Sequence, residues 1–299
     1  MKRAMIRWFA FAMLLLAAAA HAQPYPARLV TIIVPFAPGG LSDITARPLA
    51  AALGKVMGQS FIIENRPGAG GAIGAAYAAK QRPDGYNLMM ALTSLMVIPE
   101  AEKVAGRQPS YLVSQFAPIA RVASDPLMLV VRSESPWKTT ADLVADAKSR
   151  PGRISYSSSG LYGAAHVPLE MLSQSAGIRM IHVPYKSGGE SMTALLGGQV
   201  DVTVQAPGVA SSHVKSGKVR ILGSYGTQRT KALPDVPTLK EQGYDVEFYV
   251  WTALFAPVET PPDIVARLRA AVKKAIHESV FTKAMAGMDA PIEYLDLFR

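Results

Sequence analysis

Short apolar runs and helix-spaced stretches alternate along the chain from residue 29 onward. Leu29–Val34 is a β-branched run stopped by Pro35. Ser42–Met57 carries Ile44, Leu49, Leu53, Val56 and Met57 near helical spacing, with Gly58 as its stop and Pro48 weakening its first turns. A short strand is expected at Phe61–Glu64, a helix at Gly71–Lys80 closed by Pro83-Asp84-Gly85, and a strand at Tyr86–Leu92. The stretch between that strand and the next, Leu127–Val131, reads as irregular. In the second half, Thr139–Lys148 reads as a helix with Thr139 and Asp142 at capping-box spacing. Strands follow at Ile154–Ser159, Met180–Tyr185, Val200–Gln205 and Val219–Tyr225. Helical stretches separate them at Tyr162–Ala176, Glu190–Leu196 and Gly208–Ser216. Val246–Phe255 is a long apolar strand, and Pro261-Pro262-Asp263 opens one helix running to about Met285. This alternation predicts an α/β chain built on mainly parallel sheets with flanking helices.

Length and composition narrow the classes. The 299 residues suggest two domains. The absence of cysteine excludes a disulfide scaffold, a thiolate metal site, a thiol nucleophile and a Cys-linked lipid anchor. The net charge of +9 invites a nucleic-acid reading until the charges are placed. Residues 1–22 hold Lys2, Arg3 and Arg7, an apolar run Trp8–Ala20 and an Ala20-His21-Ala22 exit, the pattern of a secretory signal peptide. Without them 28 basic residues face 22 acidic ones, a diffuse +6 with no basic stripe among aromatics. Nucleic acid is therefore not an expected partner. No later segment is long and apolar enough to span a bilayer.

The chemistry gathers in three strand-to-helix turns. Pro35-Phe36-Ala37-Pro38-Gly39-Gly40-Leu41-Ser42-Asp43 offers close backbone approach and free N–H groups at a helix start, suited to an anion. Ser157–Gly163 adds hydroxyls, and Val183-Pro184-Tyr185-Lys186-Ser187-Gly188-Gly189 echoes the first turn's Val-Pro-aromatic-x-x-Gly-Gly spacing. Ligands of α/β folds bind outside the carboxyl ends of strands, where all three turns lie. Asp43 has two readings: acceptor for a ligand donor, or stabiliser of the helix dipole. Gly68–Gly74 fails as a dinucleotide fingerprint, since Ile73 occupies the third glycine position, and reads as a helix entry. No phosphate-binding loop, nucleophile elbow or histidine metal spacing is present, and no cofactor or metal is expected. His166, His182 and His213 could each in principle partner a serine as base; His166 stands one helix start after the serine run, so a hydrolase pairing Ser158 or Ser159 with His166 is conceivable, and helix packing is the plainer role. Trp137, Tyr249 and Trp251 read as core or hinge aromatics, with Trp251 a further candidate for a pocket wall.

Seven motifs in order resemble the receptors of tripartite tricarboxylate transporters, also called Bug proteins. They are Pro35-Phe36-x-Pro38-Gly39-Gly40-x-x-Asp43, Glu64–Gly71, Pro83-Asp84-Gly85-Tyr86, Tyr156–Gly160, His182–Lys186, Leu195–Asp201 and Pro237-Thr238-Leu239-x-Glu241-x-Gly243. The resemblance implies a two-lobed periplasmic-binding-protein-like fold of the second type, with two crossing hinge strands. Lobe one is expected at 24–125 plus 250–299 and lobe two at 126–249, with crossings near Leu127–Val131 and Val246–Leu254. It implies a ligand carboxylate held by amides and hydroxyls of the Ser158–Gly160 turn, with the Phe36–Asp43 loop closing from the other lobe. Carried over residue by residue, the implied ligand residues are Phe36, Gly39, Gly40, Asp43, Ser158, Ser159, Gly160 and Gly163. Thr93, Ser94 and Ala206 are added by topology. It also implies a further helix packed on lobe one after the region of Met288–Ile292. The sequence ends at Arg299 without it, and exposed apolar surface on lobe one is the expectation.

The expected function is therefore capture of a small organic carboxylate (a dicarboxylate, tricarboxylate, acidic amino acid or aromatic acid) in the periplasm. Transporter membrane subunits are the expected partners, the protein is expected to be a monomer, and no catalysis is expected. A ligand-sensing protein that reports its closed form to a signalling partner shares every pocket feature.

Overall fold

The computed structural model describes residues 25–296, so the expected signal segment lies outside the described residues. Among the described residues the strands are β1 (Val30–Val34), β2 (Phe61–Asn65), β3 (Asn87–Leu92), β4 (Phe116–Pro126), β5 (Met128–Arg132), β6 (Ser155–Ser158), β7 (Ile181–Pro184), β8 (Val202–Gln205), β9 (Val219–Ser224) and β10 (Tyr249–Pro257). The helices are α1 (Leu41–Met57), α2 (Ala72–Ala78), α3 (Ser94–Val104), α4 (Thr140–Ser149), α5 (His166–Ala176), α6 (Gly188–Leu196), α7 (Pro207–Lys215), α8 (Pro262–Ala275) and α9 (Ser279–Gly287).

Two five-stranded sheets result, ordered β2-β1-β3-β10-β4 and β7-β6-β8-β5-β9. Each has three parallel strands and a fourth antiparallel to its two neighbours, β10 in the first and β5 in the second. In β1 the alternation divides the core: Val30, Ile32 and Val34 pack with α1, α8 and α9, while Ile33 packs with α2 and Leu95 of α3. Both faces of the sheet are covered, as the continuous apolar runs predict.

Three expectations are corrected. The stretch read as irregular contains α3 and the 11-residue β4. Pro99 lies inside α3, and Pro118 and Pro126 interrupt the β pattern. Because β4 is at the sheet edge, it lacks a second ladder for Pro118 to break. The helix from 261 to 285 is two helices, with a break at Ile276–Glu278 that lets Phe281 and Met285 enter the core. Pro48 does not disturb α1, which runs unbroken from Leu41. The Thr139–Asp142 capping box forms as expected.

The chain crosses between the sheets twice, at adjacent points. β4 runs into β5 through Leu127 alone, and the return passes through Phe248 into β10. Leu127 N–H donates to the Phe248 carbonyl (3.4 Å), and its own carbonyl accepts from Tyr225 N–H (2.8 Å). Two residues before this crossing, Asp125 is fully buried and neither of its carboxylate oxygens has a hydrogen-bond partner. On the α3 side of the first sheet, Met96, Val113, Phe116, Trp251 and Phe255 line an open apolar groove of about 390 Å³. Trp251 thus walls this groove and not the space between the lobes.

Burial, and then the nearby Glu293 carboxylate, push the Asp125 carboxyl up to about 7. A native-state pKa raised above the unfolded value of about 3.9 makes the native state hold the proton longer. Stability therefore falls as pH climbs between those values, and the full cost is present above them. Asp125→Asn is expected to melt higher than the parent at pH 8, with the gain vanishing near pH 4. Thermal melts at both pH values check this; the same gain at both would contradict it.

Candidate functional site

Each parallel strand hands over to a helix at its carboxyl end, so the turns after β1, β6, β7 and β8 collect along the facing edges of the two lobes. The N-termini of α1, α5, α6 and α7 converge there. Ser187 caps α6 by accepting from Glu190 N–H, but α1, α5 and α7 have no side-chain cap. Uncapped first-turn N–H groups are strong donors looking for an acceptor. The cavity they border is lined by Phe36, Gly40, Leu41, Ser159, Gln205 and Ala206, with apolar walls from Leu92, Leu127, Val209 and Val250. Among the described residues no ionisable side chain lines it. The space left for water is about 30 Å³, enough for one or two molecules.

The lobes are in contact. Ala37 N–H donates to the Lys186 carbonyl across the cleft at 3.1 Å. Gly160 has φ +122, and a Cβ there would lie 2.5 Å from the Gly70 nitrogen, so only glycine permits this approach. Farther out, Lys215 of α7 pairs with Asp289 at 2.7 Å, and Ser211 donates to the same carboxylate. The two Val-Pro-aromatic-x-x-Gly-Gly turns do not occupy equivalent places in their sheets. One follows the inner strand β1 and the other follows the edge strand β7, and they meet face to face across the cleft.

The candidate residues divide by location. Phe36, Gly40, Ser159 and Ala206 line the cavity. Gly39 lies against Gly189 at the lobe contact. Gly163 N–H donates to the Gly160 carbonyl at 3.0 Å, closing the serine turn beneath Ser159. Thr93 is tied to β10, accepting from Trp251 N–H at 3.2 Å, and Ser94 borders a separate crevice that shares only Phe36 and Leu92 with the cleft.

Asp43 and Ser158 both work behind the surface. Asp43 Oδ2 accepts from Gly39 N–H (3.0 Å) and Arg47 Nε (2.9 Å), and Oδ1 accepts from Arg47 Nη2 (2.8 Å) and Asn65 Nδ2 (2.9 Å). Burial raises its pKa, but the bonds from Arg47, Asn65 and Gly39 outweigh that and hold the carboxyl below its ordinary value. Of the two readings of Asp43, the geometry favours the one that stabilises the helix start, and it braces the preceding turn as well. Ser158 is fully buried; its hydroxyl lies 2.6 Å from His182 Nε2 and accepts from Gly160 N–H at 3.1 Å.

The serine–histidine pair is therefore Ser158–His182 and does not involve His166, whose Nδ1 accepts from Tyr162 N–H at 3.2 Å. The two imidazoles lie 4.3 Å apart between ring centres. Burial, then His166, hold the His182 imidazole down at about 4 against the pull of Glu170. Glu170 accepts from the Tyr156 hydroxyl, and among the described residues no carboxylate hydrogen-bonds to either histidine. A buried hydroxyl beside an unoriented base is poorly arranged for hydrolysis.

Sequence reasoning missed Gln205 and Leu41. Gln205 sits immediately before Ala206 at the end of β8. Its side-chain amide is used inward: Nε2 donates to the Gly188 carbonyl (3.1 Å) and to Thr203 Oγ1 (3.1 Å), fixing the start of α6. A polar residue closing a buried strand was the available signal.

The family model described as "Tripartite tricarboxylate transporter family receptor" matches residues 45–296. A Cupriavidus necator protein from the gbd 5' region is 36% identical over 279 residues, covering 93% of this chain and 84% of that one. Among solved structures, malate-bound MatC of Rhodopseudomonas palustris superposes with a TM-score of 0.85 at 30% identity, over 90% of this chain and 91% of that one. An R. palustris protein with adipate gives 0.82 at 30% identity, over 90% and 89%.

Asp43→Ala leaves the Arg47 and Asn65 donors and the Gly39 amide without their acceptor, and is expected to cost about 1–3 kcal/mol at neutral pH. Because the native carboxyl titrates below its unfolded value, this stabilisation is present above the unfolded pKa and is lost as pH falls through the native one. Urea unfolding should show the gap between parent and variant closing in acid; a gap that stays constant would contradict the role.

Proposed function

The chain belongs to the tripartite tricarboxylate transporter receptor family, and we propose that it is a periplasmic receptor that captures a small organic carboxylate between its lobes for a membrane transporter. The observation that carries this reading is the cleft itself: four helix N-termini, three without side-chain caps, converge on a space that no ionisable side chain among the described residues lines. Each terminus in a partly buried setting favours an anion by about 0.3–2 kcal/mol. The malate and adipate held by two structural relatives support the same ligand class.

In this reading Phe36, Gly40, Ser159, Gln205 and Ala206 touch the ligand. Gly39, Gly160 and Gly163 give the turns their shape, while Asp43, Ser158 and Ser94 act from behind. The lobes are 24–125 plus 250–299 and 126–249, rotating about Leu127 and Phe248. The closed space is smaller than an organic acid, so the lobes separate for entry and close around the ligand. Ligand binding favours closure only through its differential affinity for the closed form. The transporter's membrane subunits then distinguish closed from open.

Calorimetry against malate, adipate, citrate, acidic amino acids and aromatic acids tests the ligand class, with mass spectrometry for co-purified acids. A well-folded preparation that binds none of them and carries none would refute it. Gly40→Leu adds a side chain whose Cβ starts 3.2 Å from Ser187 Cβ across the cleft, at a φ any residue adopts. It should weaken carboxylate binding about tenfold or more by obstructing closure, a cost of about 1.4 kcal/mol or more. Small-angle scattering should show a more open average shape with thermal stability little changed.

A further inference from the structure

A second cavity lies on the hinge side of the molecule, apart from the glycine turns. Its volume is about 460 Å³, within the roughly 300–1,000 Å³ usual for small-molecule sites. One wall comes from Ser124–Pro126 and Asp289–Glu293, and the other from Pro207 and Thr227–Ala232, so both lobes contribute. Two residues of its wall carry buried polar groups without any hydrogen-bond partner: Asp125, through both carboxylate oxygens, and Thr230, through its hydroxyl. Native proteins pair nearly all such groups, and an orphaned carboxylate is among the costliest to leave.

The other charged groups around the cavity are already engaged, with one exception. Glu293 faces Arg121 at 3.7 Å, Asp289 is held by Lys215 and Ser211, and Arg229 is paired with Glu241 at 3.0 Å. Lys231 makes no ion pair among the described residues. The unmatched groups are therefore a buried anion, a buried hydroxyl and an exposed cation. No group of three or more His, Cys, Asp or Glu able to hold a metal exists among the described residues. An ammonium, with three N–H donors, fits two carboxylate oxygens and a hydroxyl, and Lys231 adds a place for a negative end.

We propose that this hinge-side cavity is a second ligand site, for an amino-acid-sized zwitterion whose ammonium group lies on Asp125 and Thr230 and whose anionic group meets Lys231. It goes beyond the carboxylate-receptor reading and does not depend on it. Because its walls belong to both lobes, its occupant touches both sides of the hinge. Around Asp125 the facing ionisable groups are Glu293, Asp289, Arg229 and Lys231. An ammonium there also favours the ionised carboxyl, so binding near pH 7 releases a proton.

The test is calorimetry of the full mature protein with glycine, L-alanine and L-serine, in buffers of different ionisation heat, with methylammonium as the cation-only arm. The expected result is binding of the amino acids with proton release. Asp125→Asn should bind about tenfold or more weakly and release no proton, and Lys231→Met should lose several-fold. Asp125→Asn removes a buried charge, so failure to fold is not the expected confound. Malate or adipate should still bind and saturate the cleft when the amino acid is saturating. The proposal is overturned if none of the amino acids binds, if Asp125→Asn binds them as the parent does, if methylammonium binds equally well, or if amino acid and dicarboxylate displace one another. If no dicarboxylate binds at all, the cleft reading fails while the amino-acid arm, read through Asp125→Asn, still decides this one.

Discussion

A parallel strand followed by a helix fixes where that helix begins. Its first turn, with unpaired N–H groups, must lie at the strand's carboxyl edge. Both sheets here obey that rule, and the crossings at Leu127 and Phe248 turn the two edges toward one another. The helix N-termini thus bring positive partial charge to the cleft without a basic residue in its described lining. Closing it buries no ion pair and incurs no charge desolvation in the protein, which an arginine-based site would. The preference for an anion follows from chain direction and topology, with side chains only shaping what the backbone offers.

The polar side chains nearest the cleft mostly serve the backbone. Asp43 gathers Gly39, Arg47 and Asn65 around the turn after β1, Ser158 and Gly160 hold each other in the turn after β6, and Gln205 fixes the start of α6. Beneath α6, Ser157, Ser191, Thr203 and Gln205 form a buried hydrogen-bonded group joining helix to sheet. Donors that belong to flexible turns are useful only when the turns are held still, so the rigid layer lies one step behind the ligand surface.

What could be read in the sequence followed from local rules. Strand and helix alternation was legible because both sheet faces are covered and the apolar runs are unbroken. The glycine turns were legible because close backbone approach permits few residues. β4 was not, since an edge strand tolerates Pro118 and loses the β-branched pattern on which detection rests. The break at Ile276–Glu278 was hidden because no glycine or proline marks it; burial of Phe281 decides it. Which of His166, His182 and His213 lies beside Ser158 was not legible either. His182 reaches it from the neighbouring strand, where the register sets His182 beside Tyr156, and sequence distance along the chain says nothing about register. The echoing Gly-Gly turns share a spacing, yet their strands occupy different positions and the turns are partners in contact.

The same economy governs the hinge. Contacts between the lobes include a backbone hydrogen bond from Ala37 to Lys186, glycine-to-glycine contacts, the pair Lys215–Asp289 with Ser211 donating to the same carboxylate, and the packing of Gly208 beside Ile44, Met288 and Ala290. An exposed pair contributes about 0–1 kcal/mol, and one hydrogen bond a similar amount. Against these small terms stands Asp125, buried unpaired beside the crossing, where a well-packed apolar residue would be more stable. A receptor held shut by a large apolar interface could not be opened by losing its ligand, and one with no interlobe contacts could not be recognised as closed. A small ligand's differential affinity can shift two forms only when they lie within a few kcal/mol of each other.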